Sequence, residues 1–323
     1  MSRAARSLWH RQGCLVQVPS DHAWWASHAQ GPVVHPLADD HWRIFFAGRD
    51  RENRSSVLSV DVDPLDDMRV IALNDTPAIA PGPAPQPHCD GILLSQPVAR
   101  ADGLGAYSSE LARVGKDGKY RIVIGWLISQ DQGQSFQRPA QPSFRITPGQ
   151  LDPAFQAYPM VQPLAEGWGM WFADGLRWDM ASQPGPEIYY DIKQAYSPDG
   201  QTWQVDPDPA IALAPGECGL FRPWVQQDDA TGQFEMLFCT RGPFDATAPE
   251  RRFYRIGYAS SADGRTWQRQ DAAFGFTNPP GPGDWDHRMQ CYPSIARSAD
   301  GAEYLFYCGD AYGKYGFGYA KRV

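Results

Sequence analysis

Acidic and histidine side chains recur along the chain just before short apolar runs, at His28, Asp90, Asp152 and Glu217. A pair of carboxyl groups, one protonated and one ionised, can protonate a leaving group and stabilise positive charge at the reacting centre. An imidazole can serve as the base instead. We therefore predict acid–base chemistry with Asp90 and Glu217 as the main candidates, followed by Asp152 and His28.

Other polar and aromatic residues lie near the same segments, and we predict that they bind the substrate. They share a position just before or within an apolar strand, or on the strand or loop that follows. They are Gln30, Arg49, His88, Tyr158, Asp174, Arg222, Arg241, His287, Tyr292, Asp310, Tyr312 and Lys314. Residues this far apart in sequence form one site only where the fold brings the strands together.

A repeated turn indicates which fold does so. Ser129–Phe136, Ser197–Trp203 and Ser261–Trp267 each place an Asp and a Gly after a Ser and end on an aromatic residue. Their aspartates are 68 and 64 positions apart. In such a turn the Asp caps backbone N–H groups and the Gly supplies a positive φ. We interpret the copies as structural hairpins with the spacing of β-propeller blades.

Proline marks a second repeat, in which the residue before it varies and apolar residues follow. The five copies are Gly31-Pro32, Gln96-Pro97, Tyr158-Pro159, Arg222-Pro223 and Tyr292-Pro293. A proline is tolerated at the start of an inner strand, where a missing N–H donor costs little. The copies therefore predict five inner strands around one central channel, where the site should lie.

These repeats predict an all-β fold, a five-bladed β-propeller that forms a single domain over 1–323. The blades are expected at approximately 27–80, 88–145, 152–212, 217–275 and 286–323. The fifth blade lacks an outer strand, and the apolar run 14–18 has no partner beside it in sequence. We predict that this N-terminal strand is added to the last blade and closes the ring, which removes an open sheet edge.

The composition favours one large β domain and argues against several partners. The 31 Gly, 29 Pro and 12 Trp fit a turn-rich fold with a large core. The net charge of −8 argues against nucleic acid, and no apolar run of about 18 residues predicts a membrane span. The basic residues Arg3, Arg6 and Arg11 lack a following apolar run, so they predict a solvated tail and not a secretory signal.

Cysteine and histidine usage gives two further expectations. The six scattered cysteines predict free thiols in a cytoplasmic protein. His28, His88 and His287 precede inner strands, but no HExxH motif or close His pair supports a metal site. No glycine-rich nucleotide motif stands between a strand and a helix, so we expect no cofactor. The sequence does not specify an oligomeric state.

Several segments resemble the five-bladed propeller superfamily of glycoside hydrolases, which includes the arabinanases and xylosidases of family 43, the invertases of family 32 and the mannoside phosphorylases of family 130. These segments are Ser27–Gln30, Phe45–Asp50, Arg54-Ser55, Cys89–Gly91, Asp152-Pro153, Arg222-Pro223, Arg255–Ala259 and Tyr312–Ala320. The closest resemblance is to "predicted glycosylase" propellers of polysaccharide gene clusters. It implies a small-molecule sugar or oligosaccharide substrate, and acid/base carboxylates drawn from inner strands.

One segment departs from that family pattern. The first blade of the family carries a catalytic Asp, whereas Ser27-His28-Ala29-Gln30 contains no carboxylate. A hydrolase would therefore need His28 as its base, or a different pair of carboxylates. Three functions stay open: a glycoside hydrolase-like enzyme, a non-hydrolytic enzyme such as a lyase, isomerase or cyclase on the same scaffold, and a non-catalytic carbohydrate-binding protein of polysaccharide biosynthesis.

Overall fold

The structure, a computed structural model, describes residues 7–19, 22, 24–140, 144–147, 149–183, 185–228 and 230–323. Within these ranges nearly all regular structure is β-strand. The helical elements of the same ranges are the 3-10 turns Pro249–Arg252 and Asp271–Ala273 and the short turn Asp310–Gly313. No helix in the described part of the chain is both long and apolar enough to cross a membrane.

The strands follow each other as antiparallel neighbours joined by short turns. In chain order they are β1 (Ser7–Gln17), β2 (Ser27–Ala38), β3 (His41–Arg49), β4 (Ser55–Asp63), β5 (Arg69–Ile79), β6 (Gly91–Arg100), β7 (Gly103–Arg113), β8 (Tyr120–Ser129), β9 (Arg145–Ile146), β10 (Gln156–Pro163), β11 (Trp168–Asp179), β12 (Glu187–Ser197), β13 (Thr202–Ile211), β14 (Gly219–Gln227), β15 (Phe234–Arg241), β16 (Arg255–Ser261), β17 (Gln268–Arg269), β18 (Phe274–Phe276), β19 (Cys291–Arg297), β20 (Glu303–Cys308) and β21 (Gly316–Arg322).

Among the described residues these strands form five antiparallel sets. The sets are β2–β5, β6–β8, β10–β13, β14–β17 and β19–β21, and β1 and β18 extend the last one. Single parallel bridges at Ser55↔Gly91 and Tyr190↔Gly219 connect neighbouring sets. The chain is therefore a succession of small antiparallel sheets.

The five prolines of the sequence repeat all lie in the first strand of a set, as predicted. In four of the five, the preceding residue has a positive φ: Gly31 (61°), Tyr158 (52°), Arg222 (55°) and Tyr292 (57°). The pairing with the next strand shifts register at each of these four positions. A bulge of this kind re-aims a side chain, and the rings of Tyr158 and Tyr292 stack 5.7 Å apart between two different sets.

The repeated turns are structural hairpins, which confirms the interpretation from sequence. Asp199 Oδ1 accepts hydrogen bonds from the backbone N–H groups of Gln201 (2.8 Å) and Thr202 (2.9 Å). Asp263 makes the equivalent pair of bonds one set later. A further copy, Ser298–Tyr304, has Asp300 in the same role and Tyr304 in the aromatic position, and the sequence analysis missed it.

Strand β1 pairs antiparallel with β21 from Trp9↔Arg322 to Gln17↔Gly316. The predicted strand 14–18 therefore does pair with the last set, and the strand begins earlier, at Ser7. This pairing has two register shifts, one between Arg11 and Gly13 and one between Cys14 and Val16.

Arg11 belongs to β1, which corrects the expectation of a solvated tail. Its Nε and Nη2 donate to the two carboxylate oxygens of Asp286 at 2.9 and 2.6 Å, and the Tyr307 hydroxyl donates to Oδ2 at 2.7 Å. Asp286 is completely buried. Arg3 and Arg6 lie outside the described residues.

Large side chains fill the space between the sets. Trp9, Trp25, Trp42 and Trp171 are all less than 3% exposed. All six cysteines are free thiols, as predicted, and four of them are buried. The core is thus made of aromatic and aliphatic residues without covalent cross-links.

Candidate functional site

A cavity of about 360 Å³ lies where the first strands of the five sets meet. We call it the central cavity. Its polar and aromatic lining includes Gln30, Arg49, Ser55, Ser109, Tyr120, Phe155, Tyr158, Glu187, Tyr190, Phe221, Arg241, Arg252, Tyr254, Tyr292 and Tyr312. The volume lies within the range of about 300–1,000 Å³ that is usual for small-molecule sites. Each of the five sets contributes to the lining.

Six of the predicted substrate-binding residues come together there. They are Gln30, Arg49, Tyr158, Arg241, Tyr292 and Tyr312. The backbone bulges described above orient Tyr158 and Tyr292 towards the cavity, and Tyr312 reaches it from the turn after β20, itself with φ of 61°. The Tyr312 ring meets Tyr254 edge to face at 5.8 Å.

Glu187 is a cavity carboxylate that the sequence analysis did not identify. It begins β12 and is buried, and its Oε1 accepts a 2.7 Å hydrogen bond from Arg241 Nη2. Arg252 Nε lies 3.8 Å from the other oxygen. Glu187 is therefore held between two guanidinium groups that come from a neighbouring set.

Arg241 also organises a pair of tyrosines. Its Nε donates to the Tyr190 hydroxyl at 2.8 Å, and the Tyr190 and Tyr254 hydroxyls are in short contact with each other. Burial alone would lower the pKa of Arg241, but Tyr190, Tyr254 and the bond to Glu187 raise it well above its ordinary value. Burial raises the pKa of Tyr190 to about 12. Since Arg241 only donates, one of the two hydroxyl protons stays available for a ligand.

A second depression, the outer cleft, adjoins the central cavity. It measures about 520 Å³ and is lined by Arg49, Asn53, Ser55, Asp90, Leu111, Arg113, Gly115, Lys116, Gly118, Lys119 and Tyr120. Arg49, Ser55, Leu111 and Tyr120 line both spaces, so the two are direct neighbours.

The two main carboxylates predicted from sequence lie elsewhere. Asp90 lines the outer cleft, where its Oδ2 accepts the Arg113 backbone N–H at 2.7 Å and its Oδ1 lies 3.3 Å from Arg113 Nη1. Glu217 lines neither space and is bound by both terminal nitrogens of Arg269 and by the Thr240 hydroxyl. Burial would raise the pKa of Glu217, but these hydrogen bonds outweigh it and lower the pKa.

Glu217 therefore links strands of its own set, and its placement argues against the role of general acid. The other two candidate acid–base residues, Asp152 and His28, also line neither the central cavity nor the outer cleft. Asp152 is exposed at the turn before β10. His28 hydrogen bonds to Ser27, and burial together with the charges of Arg49 and Lys314 lowers its pKa to about 3. An imidazole with so low a pKa is a weak base, which argues against the role of His28 as the base of a hydrolase.

The remaining predicted residues lie outside the cavity lining. Arg222 is fully buried below it and donates to the Ser95 carbonyl at 3.1 Å. Asp310 accepts two backbone N–H groups, those of Arg288 and Met289. Three further residues that we predicted to bind the substrate do not line the central cavity. They are the buried His88, the half-buried His287 and the exposed Lys314.

Asp174 forms a buried carboxylate pair with a residue that was not predicted. It stands directly across from Asp191 on β11 and β12. Burial raises the pKa of each to about 6, and in Asp191 the charge of Asp174 adds to the effect. One oxygen of each carboxylate has no hydrogen-bond partner among the described residues. The pair lies within the third set, away from the central cavity lining.

Comparison with known proteins gives the class of fold. No known family model matches the sequence. A solved structure described as a glycoside hydrolase matches with a TM-score of 0.69 over 98% of this chain and 92% of that chain, at 15% identity. An alpha-L-arabinofuranosidase from Lactobacillus brevis matches with a TM-score of 0.64 over 93% and 94%, at 11% identity. At such identities the likeness shows the fold, and the expected glycoside hydrolase-like β fold is confirmed.

One curated relative is similar over its full length. It is the protein named "Uncharacterized protein Rv1502" of Mycobacterium tuberculosis (strain ATCC 25618 / H37Rv), which is 29% identical over 314 residues. The match covers 97% of this chain and 98% of the relative. A fold of this kind hosts many reactions, so function has to be argued from the cavity itself.

Proposed function

We propose that the protein is a sugar-active enzyme of the glycoside hydrolase type, whose substrate binds in the central cavity. The observation that carries the proposal is Glu187, the carboxylate that Arg241 holds against a wall of tyrosines. Among the described lining residues of the central cavity it is the sole acid. A glycosidic bond breaks through a transition state with positive charge on the anomeric carbon, which a fixed carboxylate stabilises.

The architecture in this proposal is a ring. The five antiparallel sets serve as the five blades of one domain over 1–323, and the pairing of β1 with β21 closes it. The convergence of all five first strands on one cavity supports this arrangement. So does the likeness to solved glycoside hydrolases over nearly the whole chain.

The tyrosines provide a packing surface for the sugar ring and a proton donor, neither of which Glu187 provides. Their rings offer flat apolar faces against which a sugar ring can pack, and their hydroxyls remain polar. The free proton of the Tyr190–Tyr254 pair can donate to an oxygen of the glycoside, while Glu187 faces the ring carbon that becomes positive. In this scheme the glycosidic C–O bond breaks, the leaving oxygen takes the tyrosine proton, and the water or hydroxyl that forms the new C–O bond returns a proton to the tyrosine oxygen.

The test is the substitution Glu187→Gln, assayed on a panel of nitrophenyl glycosides and oligosaccharides. We expect kcat/KM to fall by about 100-fold or more, since acid–base and charge-stabilising groups contribute on this scale. Glu217→Gln is the matched control, because it makes the same change outside the cavity and should leave kcat unchanged in the folded protein. Wild-type turnover by Glu187→Gln would refute the assignment.

A second candidate is a carbohydrate-binding protein without catalysis. Two observations favour it: His28 stands where a carboxylate is expected, and both oxygens of Glu187 face guanidinium groups. It predicts saturable sugar binding with no chemical change on long incubation. Any conversion of a bound sugar that Glu187→Gln abolishes would exclude it.

A further inference from the structure

The outer cleft carries a different charge from the rest of the protein. Four cationic side chains line it, Arg49, Arg113, Lys116 and Lys119, against the single carboxylate Asp90. The chain as a whole has a net charge of −8. A cleft lined by one sign of charge focuses the electric field and raises the local concentration of the opposite ion.

Arg49 lies where the outer cleft meets the central cavity, and its charge is not neutralised by the protein. Its Nε donates to Gln30 Oε1 at 2.8 Å and its Nη1 to Asn53 Oδ1 at 3.1 Å. Both acceptors are neutral amides, and no carboxylate in the described ranges forms an ion pair with Arg49. Burial is the main cause that lowers the pKa of Arg49, and Arg113 acts in the same direction. The two amides hold the guanidinium in place and leave Nη2 for a ligand.

The neighbouring cationic side chains add further positive charge that carboxylates of the cleft do not fully neutralise. Asp90 is already used by Arg113. Lys119 Nζ lies 3.6 Å from Asp117, which is outside the cleft lining. Lys116 is exposed and has no ion pair within the described residues. At least Arg49 and Lys116 thus face the cleft as unpaired positive charges.

The central cavity also has more cationic than anionic side chains in its lining. Arg49, Arg241 and Arg252 line it against Glu187 alone. A neutral sugar would leave this excess positive charge without a counter-ion. An anionic group beside Arg49 would neutralise it while the ring occupies the space between the tyrosines.

We propose that the substrate is an anionic sugar, with its ring in the central cavity and a phosphate, sulfate or carboxylate group bound by Arg49 at the mouth of the outer cleft. A guanidinium presents parallel N–H donors that match the oxygens of all three groups, and charged hydrogen bonds of this kind are strong. Arg113 and Lys116 provide the surrounding field. The inference rests on the proposed function only in taking the central cavity as the sugar site.

The test is a calorimetric binding comparison of matched sugars. Glucose, galactose and mannose are each compared with their 6-phosphate, 6-sulfate and uronic acid forms, and inorganic phosphate and sulfate are titrated alone. We expect at least one charged form to bind about tenfold or more tightly than its neutral parent at about 0.1 M ionic strength. The advantage should shrink towards about 1 M, where charges are screened over about 3 Å. The charged form that binds best identifies the anionic group.

Two variants test whether Arg49 binds the anionic group of the sugar. Arg49→Gln should remove the preference for the charged form, because it deletes the charge and keeps a polar amide side chain at this position. Arg100→Gln is the matched control: Arg100 is partly exposed, paired with Asp102, and lines neither space. Neutral and charged sugars that bind equally, a panel in which no charged sugar or inorganic anion binds, or an unchanged preference in Arg49→Gln would each overturn the proposal.

The outcome separates this inference from the proposed function. Glu187→Gln should lose turnover and keep the preference for charged sugars. A charge preference without any turnover would refute the enzyme and support the anionic ligand. Turnover of neutral glycosides that depends on Glu187 but not on Arg49 would support the enzyme and refute the anionic ligand.

Discussion

The contact between Arg11 and Asp286 makes a quantitative prediction about how β1 is held. The change is Arg11→Gln, which removes the guanidinium that donates twice to Asp286. The Asp286 side chain is fully buried and that of Arg11 is 11% exposed. After the substitution the carboxylate keeps the Tyr307 hydroxyl but has lost its charged partner.

The size of the effect follows from burial. Removing one partner of a buried ion pair costs about 3–5 kcal/mol, because the other charge is left without compensation. Globular proteins gain about 2.1 cal/mol/K of unfolding entropy per residue near the transition, so for 323 residues each kcal/mol corresponds to roughly 1.5 °C. We therefore expect Arg11→Gln to lower the Tm by roughly 4–7 °C.

The assay is thermal melting followed by circular dichroism, with urea unfolding as a second measurement. Arg100→Gln serves as the control, since its exposed pair with Asp102 should contribute less than about 1 kcal/mol. The double variant Arg11→Gln with Asp286→Asn should be less destabilised than the sum of the two single variants, because neither charge is then stranded. A fall in Tm of less than about 1 °C for Arg11→Gln, or strict additivity, would refute the reasoning.

Two further substitutions test features of the third set. Burial raises the pKa of Asp174 to about 6 from its ordinary 3.8, so its ionised form destabilises the folded state above about pH 6, and this cost disappears as the pH falls towards 4. Asp174→Asn should therefore raise the Tm at about pH 7–8 and change it little near pH 4; melting curves across this range would show no pH dependence of the difference if the idea is wrong. Asp199→Ala should lower the free energy of unfolding, because it removes the side-chain acceptor for the Gln201 and Thr202 N–H groups of the turn; an unchanged urea midpoint would contradict this.

Local chemistry explains what could be predicted from the sequence. The proline repeat identified the first strand of every set, because a residue without an N–H is confined to few strand positions. The Ser–Asp–Gly turns identified hairpins, because their hydrogen bonds lie within a few residues. These signals extend over fewer than about ten residues, so a single sequence contains them in full.

The residues of the candidate site could not all be predicted from local sequence patterns. Glu187 begins the third strand of its set, and its partner Arg241 is 54 positions away in the next set. Sequence reasoning considered residues in front of first strands, so it chose Glu217, whose partner Arg269 is 52 positions away on the outer strand. Neither pairing leaves a pattern in the sequence, because the first depends on how two sets face each other and the second on how distant strands of one set lie side by side.

The pairing of β1 with β21 has a consequence for the order in which the chain can fold. Each of the sets from β2 to β17 finds its hydrogen-bond partners among neighbouring strands soon after synthesis. Strand β1 is made before all of them, yet the residue opposite Trp9 is Arg322. At about 5–20 residues per second, the roughly 300 residues in between take about 15–60 seconds to add. Until β18 and then β21 have been made, β1 has no strand partner, and the buried pair of Arg11 and Asp286 can form only when the fifth set arrives.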